Sequence, residues 1–145
     1  VLSRSKGKEA DAQRLGARHF KITTDPGNMK SMANSFDYII DTVSADHNYN
    51  EYLALLRTNG VMVLLGAPPN PADVSAFKLI GGRRSLVGSL VGGIKETQEM
   101  LDYCAEHHIS SDIELITMDQ INEAYERTLA GDVKYRFVID MQSLQ

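Results

Sequence analysis

The chain contains 145 residues, of which 43% are hydrophobic and 23% are charged, and its net charge is −4. A domain of this size buries about 68–70% of its unfolded surface, so the length suits one globular domain. The acidic balance argues against a nucleic-acid partner, because phosphate neutralisation needs an excess of Lys and Arg.

Cysteine content and apolar run length narrow the class further. Cys104 is the single cysteine, which excludes an internal disulfide and a multi-cysteine zinc site. The apolar runs are far shorter than the roughly 20 residues of a bilayer span, and no secretory signal is recognisable. We therefore expect no membrane partner and predict a cytoplasmic α/β domain.

The chain opens on Val1-Leu2-Ser3, without an initiator Met. This opening resembles the interior of a strand. We expect the chain to be a piece of a longer protein.

In the first 41 residues, apolar runs alternate with helical patterns and turn residues. In chain order, the predicted elements are a strand stub at 1–2, a helix over 6–15 ended by Gly16, a strand over 19–22, a turn at 25–28, a short helix over 29–33 and an apolar strand over 36–41.

The rest of the chain continues this alternation. Its predicted elements are a helix with Tyr49, Tyr52, Leu53 and Leu56 on one face and its end at Asn59-Gly60, a strand over 61–66 buried on both faces, a proline-rich loop over 67–71, a helical turn over 77–80, a strand over 85–91, a helix over 94–107, a strand over 113–116, a helix over 121–129 begun by a Thr117/Gln120 capping box, and a last strand over 136–139.

Alternating strands and helices at this spacing fit right-handed parallel crossovers. The predicted fold is a doubly wound, Rossmann-like parallel α/β sheet. Such sheets bind ligands at the carboxyl ends of their strands. The segments at 3–5, 42–44, 66–68 and 88–90 are therefore the candidate site.

The segment from Ser3 to Lys8 combines two hydroxyls, three cations and a helix start within six residues. Helix starts favour anions, and basic groups after the second strand of a dinucleotide fold accept the 2′-phosphate of NADP. An acid there would instead bind the ribose hydroxyls of NAD, and the first acid is Glu9. The alternative is a solvated basic helix start.

Gly66 and Gly88 stand at predicted strand ends, where a ligand can approach bare backbone, although strand termination or a bulge explains them equally well. Asp41 follows an apolar strand. It could act as a general base, but a group that holds the following loop is the more frequent role of such a residue.

Metal and nucleophile chemistry has weak support. Cys104 and His108 share a helix face, but zinc needs about four ligands, so we predict no metal site and interpret Cys104 as a buried structural thiol. His19 and His47 are predicted to be isolated surface residues. No catalytic residue is assigned within the chain.

Several segments together resemble the C-terminal part of zinc-dependent medium-chain alcohol dehydrogenases, in the cinnamyl alcohol dehydrogenase branch. The resemblance runs essentially end to end. The segments are LGA at 15–17, FDYIIDTV at 36–43, LLRTNG at 55–60, GSLVG at 88–92, KETQEML at 95–101, INEAYER at 121–127 and DVKYRFVID at 132–140.

This resemblance implies hydride exchange between NADP(H) and a small primary alcohol or aldehyde. It also implies cofactor-binding roles. Ser3, Arg4, Ser5 and Lys8 would hold the 2′-phosphate; Thr42 and Val43 would line the groove; Gly66, Ala67, Gly88, Ser89 and Leu90 would lie at the nicotinamide end; and Arg136 would reach the pyrophosphate.

The resemblance further implies that residues 1–145 are a partial NADP-binding domain with a C-terminal returning segment. The glycine-rich loop, the first strand and the zinc-binding catalytic domain would lie upstream. Zinc would belong to the parent enzyme and not to this segment, and the chain alone should not catalyse. Because the first strand is central in the order 3-2-1-4-5-6, its neighbours would expose apolar edges.

The family also pairs the strand from Ser85 to Val91 with its twin, so a homodimer is expected, with a loop-capped edge as the alternative. Two other functions stay open. A non-catalytic nucleotide-binding or interaction module would have a natural mass near 16.1 kDa rather than well over twice that value. A transferase using another adenosine-containing cofactor is disfavoured by Ser3-Arg4-Ser5.

Overall fold

The computed structural model describes residues 1–144 and divides the chain into two compact units, Val1–Val91 and the residues from Gly92 onward. In the first unit the elements are β1 (Leu2–Ser3), α1 (Glu9–Arg14), β2 (Lys21–Ile22), α2 (Pro26–Ser31), β3 (Phe36–Asp41), α3 (Tyr49–Leu53), β4 (Leu56–Leu64), α4 (Ala76–Ile80) and β5 (Ser85–Gly88). In the second unit they are α5 (Ile94–Glu106), β6 (Glu114–Ile116), α6 (Ile121–Leu129) and β7 (Phe137–Ile139). Three 3₁₀ turns cover Lys6–Lys8, Met118–Gln120 and Met141–Leu144.

All the strand pairs of the described chain are parallel, which confirms the predicted mixed α/β class. In the first unit, β1 pairs with β2, and a separate sheet has the order β3-β4-β5. In the second unit, β6 pairs with β7. In the expected order 3-2-1-4-5-6, the pair β1-β2 takes the places of strands 2 and 3, and β3-β4-β5 takes those of strands 4, 5 and 6. Within the described residues no strand pairs with both β1 and β3.

One face of the β3-β4-β5 sheet carries the core of the first unit. Leu53, Leu56 and Met62 are fully buried there, and Ile39 is nearly so. On the opposite face Tyr38 is 72% exposed. In β4 the alternate residues Val61 and Val63 are only half-buried. The expectation that the strand over 61–66 is buried on both faces is therefore wrong for this chain, because helices α3 and α4 cover a single face of the sheet.

The helix before β4 is shorter than predicted. It ends at Leu53, and Leu56 already belongs to β4. The reason is a pairing with distant sequence. The amides of Ser35 and Phe36 both donate to the Leu55 carbonyl, at 2.8 and 3.1 Å, which draws the chain into an extended path beside β3. Asn59-Gly60 therefore does not end a helix.

Asn59-Gly60 lies in an irregularity of β4. Asn59 has a φ of 66°, and the pairing with β3 jumps from Leu56 to Val61 across this segment. The Asn59 amide donates to the Gly82 carbonyl at 2.8 Å. The two turn residues therefore bend a strand instead of separating a helix from a strand.

Other boundaries also differ from the predictions. The strand predicted over 85–91 ends at Gly88, because its partner β4 ends at Leu64. The turn predicted at 25–28 is the first turn of α2, since Asp25 Oδ1 accepts the Gly27 amide at 2.8 Å and Pro26 occupies the first helical position.

In the second unit, the predicted capping at Thr117 is confirmed, with the Thr117 amide donating to Gln120 Oε1 at 3.0 Å. The capped segment starts with the 3₁₀ turn Met118–Gln120, and α6 begins directly after it. Cys104 is half-buried, which corrects the expectation of a buried thiol: it lies on α5, which has no buried residue. Within residues 1–144, no helix has both the length and the apolarity needed to cross a bilayer.

Candidate functional site

The carboxyl ends of three neighbouring strands lie in register at one edge of the sheet. Asp41 of β3 pairs with Leu64 of β4, which pairs with Gly88 of β5. The loops that carry the predicted site residues therefore leave the sheet side by side. These residues are Thr42, Val43, Gly66, Ala67, Ser89 and Leu90.

Backbone hydrogen bonds tie these loops to the strand ends. The amides of Leu65 and Gly66 both donate to the Asp41 carbonyl, at 2.8 and 3.1 Å. The Ser89 amide donates to the Leu64 carbonyl at 3.1 Å. Beyond this bond Leu90 is 90% exposed, so its side chain is free to meet a ligand.

The side chain of Asp41 holds the loop that follows it. Asp41 is buried, and its Oδ1 accepts the Val43 amide at 3.0 Å. This contact confirms the loop-holding role over that of a free general base. Both carboxylate oxygens are in use, because Oδ2 contacts His47 Nε2 at 2.7 Å.

His47 is not an isolated surface residue, and the expectation that it would be is wrong. Its side chain is 12% exposed. Its Nδ1 lies 2.8 Å from the Ala45 carbonyl oxygen, and its ring lies 4.5 and 5.5 Å from the rings of Tyr49 and Tyr52. The six-residue separation from Asp41 crosses an irregular loop and has no periodicity that would have predicted the pair.

Tyr49 closes the buried side of this cluster. Burial is the main reason that the pKa of its phenol is raised above the usual value, and the negative charges of Asp41 and then Asp46 raise it further. The phenol therefore stays protonated at neutral pH. Asp46 itself accepts from Asn70 Nδ2 at 2.5 Å, which links the 42–48 loop to the proline-rich loop.

Gly66 is required by a close approach of backbone to backbone. A Cβ built on Gly66 would overlap the Val43 carbonyl oxygen and stand 2.5 Å from the Val43 carbonyl carbon. Around Gly88 no atom lies within 4 Å of such a Cβ. The two strand-end glycines thus differ: the first is a packing requirement, and the second leaves open space.

A cleft of about 480 Å³ runs between β1 and β3. Val1 and Leu2 line one side, and the lining on the other side continues from β3 to Thr42 and Val43. The cleft thus reaches the strand edge that carries the candidate site.

The segment after β1 presents its polar groups to solvent. Arg4, Ser5 and Lys8 are exposed. The Ser5 amide donates to Ser3 Oγ at 3.2 Å, so this hydroxyl is partly engaged. The helix predicted over 6–15 is instead the 3₁₀ turn Lys6–Lys8 followed by α1, Glu9–Arg14.

Arg136 belongs to the second unit. Its carbonyl accepts the Glu114 amide at 2.9 Å, and its side chain is among the groups that line a cavity of about 420 Å³ next to α6.

A cluster of ion pairs around Arg127 links α6 to β6 and to the segment that leads into β7. Arg127 Nη2 contacts Glu114 Oε2 at 2.6 Å, and Arg127 Nε contacts Asp132 Oδ2 at 3.1 Å. The Lys134 amide, and then the Arg127 guanidinium, hold the pKa of Glu114 below its usual value, while Glu114 and Asp132 raise that of Arg127.

Within residues 1–144 no group of three or more His, Cys, Asp and Glu side chains is placed to hold a metal ion. Cys104 Sγ lies 3.7 Å from Met100 Sδ, and the His107 ring lies 4.2 Å from that of Tyr103. These donors do not fit a zinc ion.

Parallel strands with loops gathered at one carboxyl edge define an α/β protein of the Rossmann type. Residues 1–106 match the family described as zinc-binding dehydrogenase. The chain belongs to this family.

Relatives and solved structures agree with this assignment. The chain is 54% identical over 145 residues to an NADP-dependent alcohol dehydrogenase C of Mycolicibacterium smegmatis, covering all of this chain and 42% of that protein. A cinnamyl alcohol dehydrogenase of Sorghum bicolor matches with a TM-score of 0.91 and 45% identity, over 97% of this chain and 40% of that one. The enzyme of Helicobacter pylori, solved as a complex with NADP(H), matches with a TM-score of 0.83 and 40% identity over 98% and 40% of the two chains.

The resemblance to the cinnamyl alcohol dehydrogenase branch is thereby confirmed. The chain spans about two fifths of the length of these relatives.

Proposed function

We propose that this chain is the cofactor-binding part of an NADP(H)-dependent, zinc-dependent alcohol dehydrogenase, which transfers hydride between the nicotinamide and a small primary alcohol or aldehyde. The observation that carries the proposal is the Ser3–Lys8 segment, which begins at the last residue of β1, is exposed from Arg4 onward, and offers hydroxyls and cations and no acid. The registered carboxyl edge of β3, β4 and β5 supplies the remaining surface for the dinucleotide.

In this proposal Arg4 and Lys8 neutralise the 2′-phosphate, and Ser3 and Ser5 donate hydroxyl hydrogen bonds to it. A guanidinium presents a planar fork of donors that suits phosphate oxygens, so Arg4 contributes most of the selectivity. NAD, which lacks that phosphate, would meet no acidic partner for its ribose hydroxyls in this segment.

The strand edge would hold the rest of the cofactor, which when bound supplies the hydride. Thr42 and Val43, which line the cleft between β1 and β3, would border the cofactor groove. Gly66 and Ala67 would offer backbone groups to the cofactor, and Arg136 would meet the pyrophosphate. Gly88, Ser89 and Leu90 would flank the nicotinamide end, where open space surrounds Gly88.

The residues of this chain bind and orient, and they supply no zinc ligand in the proposed enzyme. We therefore expect residues 1–145 alone to bind nucleotide without oxidising alcohols. We place the enzyme in the cytoplasm, where the lone thiol of Cys104 stays reduced. A homodimer through β5 and the residues that follow it to Val91 is part of the proposal, because β5 is an edge of its sheet among the described strands.

The test is the variant Arg4→Asp, made in the polypeptide that naturally carries these residues. Loss of a charge-assisted contact should weaken NADPH binding by about 10- to 100-fold, with a much smaller effect on NADH. Arg18→Asp is the matched control, because Arg18 is an exposed cation outside the segment. Equal losses for the two nucleotides in Arg4→Asp would refute the assigned role.

A further inference from the structure

We infer that His47 is a positioning residue. Its contacts with Asp41 and Ala45, together called the clasp, hold the 42–47 loop against the end of β3 and thereby set how well the strand edge binds the nucleotide. The inference rests on the function proposed above. It concerns a residue that has no place in the predicted set of cofactor contacts.

Both nitrogens of the His47 ring face an acceptor. Nε2 lies 2.7 Å from Asp41 Oδ2, and Nδ1 lies 2.8 Å from the Ala45 carbonyl oxygen. A neutral imidazole carries a single N–H and satisfies one of these acceptors, whereas an imidazolium donates to both. The Nε2 contact joins the loop to the end of β3, and the Nδ1 contact lies within the loop.

The clasp is sheltered from solvent. The side chains of His47 and Asp41 are 12% and 7% exposed, so water competes little for the hydrogen bond between them. Tyr49 and Tyr52 pack on the ring from α3 and restrict its orientation. His47 is not among the residues that line the cleft between β1 and β3.

The loop transmits this constraint to the site. The remaining oxygen of Asp41 accepts the Val43 amide, and the Val43 backbone lies directly against Gly66. Val43 and Gly66 are both proposed to border the groove. A loosened clasp would move Val43 away from Gly66 and spoil the groove without touching the Ser3–Lys8 segment.

This separation gives the inference a signature. The strand edge would contact the part of the cofactor that NADPH and NADH share. Loss of the clasp should therefore weaken both nucleotides to the same extent, in contrast to Arg4→Asp.

The experiment compares His47→Phe, His47→Gln and His47→Asn in the natural polypeptide that carries the chain, with His19→Phe as an exposed control. A Gln amide nitrogen can take the place of Nε2, and an Asn amide nitrogen that of Nδ1. The measurements are the dissociation constants of NADPH and NADH and the hydrogen exchange rate of the Val43 amide in the free protein.

We expect His47→Phe to weaken both nucleotides about tenfold and to speed Val43 exchange by a similar factor, the effect of losing one buried hydrogen bond. His47→Gln should restore most of both properties, His47→Asn should not, and His19→Phe should change neither. Unchanged affinity and exchange in His47→Phe would overturn the inference, as would a loss confined to NADPH or equal rescue by Asn and Gln.

Two remaining outcomes are also decisive. If the unmodified protein binds neither nucleotide, the proposed function fails, and Val43 exchange alone decides whether His47 holds the loop. If His47→Phe does not fold, the comparison of Gln with Asn decides the same question.

Discussion

Gly66 and Val43 approach so closely that a single additional carbon on Gly66 would stand 2.5 Å from the Val43 carbonyl carbon. Because the neighbour is backbone and not a flexible side chain, the overlap can be relieved only by moving the loop. We expect Gly66→Ala to destabilise the protein by about 1–3 kcal/mol, the usual cost of overpacking.

This and the other stability measurements use the natural polypeptide that carries the chain. Urea denaturation of its Gly66→Ala variant checks this expectation. Gly88→Ala is the matched control, since its new methyl group would meet no atom within 4 Å. Equal free energies of unfolding for the two variants would contradict the close approach.

Leu53 ends α3 and is fully buried in the core of the first unit. Replacing it by alanine removes apolar contacts and leaves a cavity, so Leu53→Ala should cost about 2–5 kcal/mol of stability. Phe77→Ala serves as the comparison, because Phe77 is 82% exposed and its loss should change the melting temperature little. A similar melting temperature for both variants would argue against the described core.

Arg127 joins Glu114, Asp132 and the ring of Phe137, whose centroid lies 4.8 Å from the guanidinium carbon. We expect Arg127→Gln to lower the melting temperature of the protein clearly. Arg57→Gln breaks the pair with Asp37, in which both side chains are more than half exposed, and should have a smaller effect. Calorimetry of the two variants makes the comparison, and a larger loss for Arg57→Gln would contradict it.

Acid should remove part of the stability of the second unit. In the folded state the Lys134 amide, and then Arg127, lower the pKa of Glu114 below its ordinary value of 4.5. A depressed carboxyl pKa contributes stability that is fully present above the unfolded value and is lost as the pH falls through the folded one. The folded protein should therefore lose stability from pH 4.5 downward.

The variant Glu114→Gln isolates this contribution. It should be less stable than the unmodified protein at pH 7 and should lose less stability on acidification, as read from urea midpoints across the acid range. Parallel pH profiles for the two proteins would show that Glu114 does not carry the effect.

The edges of β1 and β3 flank an open cleft, and beside it Tyr38 and Ile40 are 72% and 66% exposed. Unpaired strand edges next to apolar side chains invite pairing with other chains. We expect the 145-residue chain by itself to self-associate and to melt without cooperativity. A monomer in sedimentation velocity with a single cooperative calorimetric transition would prove this expectation wrong.

Several elements could be predicted because local chemistry decides them. The apolar run at Phe36–Asp41 and the capping residues of α6 have the periodicity and spacing that the structure requires. The helical spacing wrongly placed Leu56 in a helix. The Leu55 carbonyl instead accepts the amides of Ser35 and Phe36, at the start of β3, and this contact with distant sequence has no local signal.

The pair of Asp41 and His47 was missed for a related reason. Its geometry depends on how an irregular loop folds back onto α3, and loop paths have no repeat in sequence. The candidate strand ends, in contrast, followed from topology alone, because parallel strands deliver their carboxyl ends to one edge.

The pairing of β1 with β2 spans only two residues on each strand. Arg4 and its neighbours extend from this short ladder. A phosphate bound at Arg4 would therefore also stabilise this ladder. If the ladder is formed in only a fraction of the free molecules, the apparent affinity equals the intrinsic affinity multiplied by that fraction. A nucleotide titration of this chain would accordingly report on local folding as much as on the guanidinium.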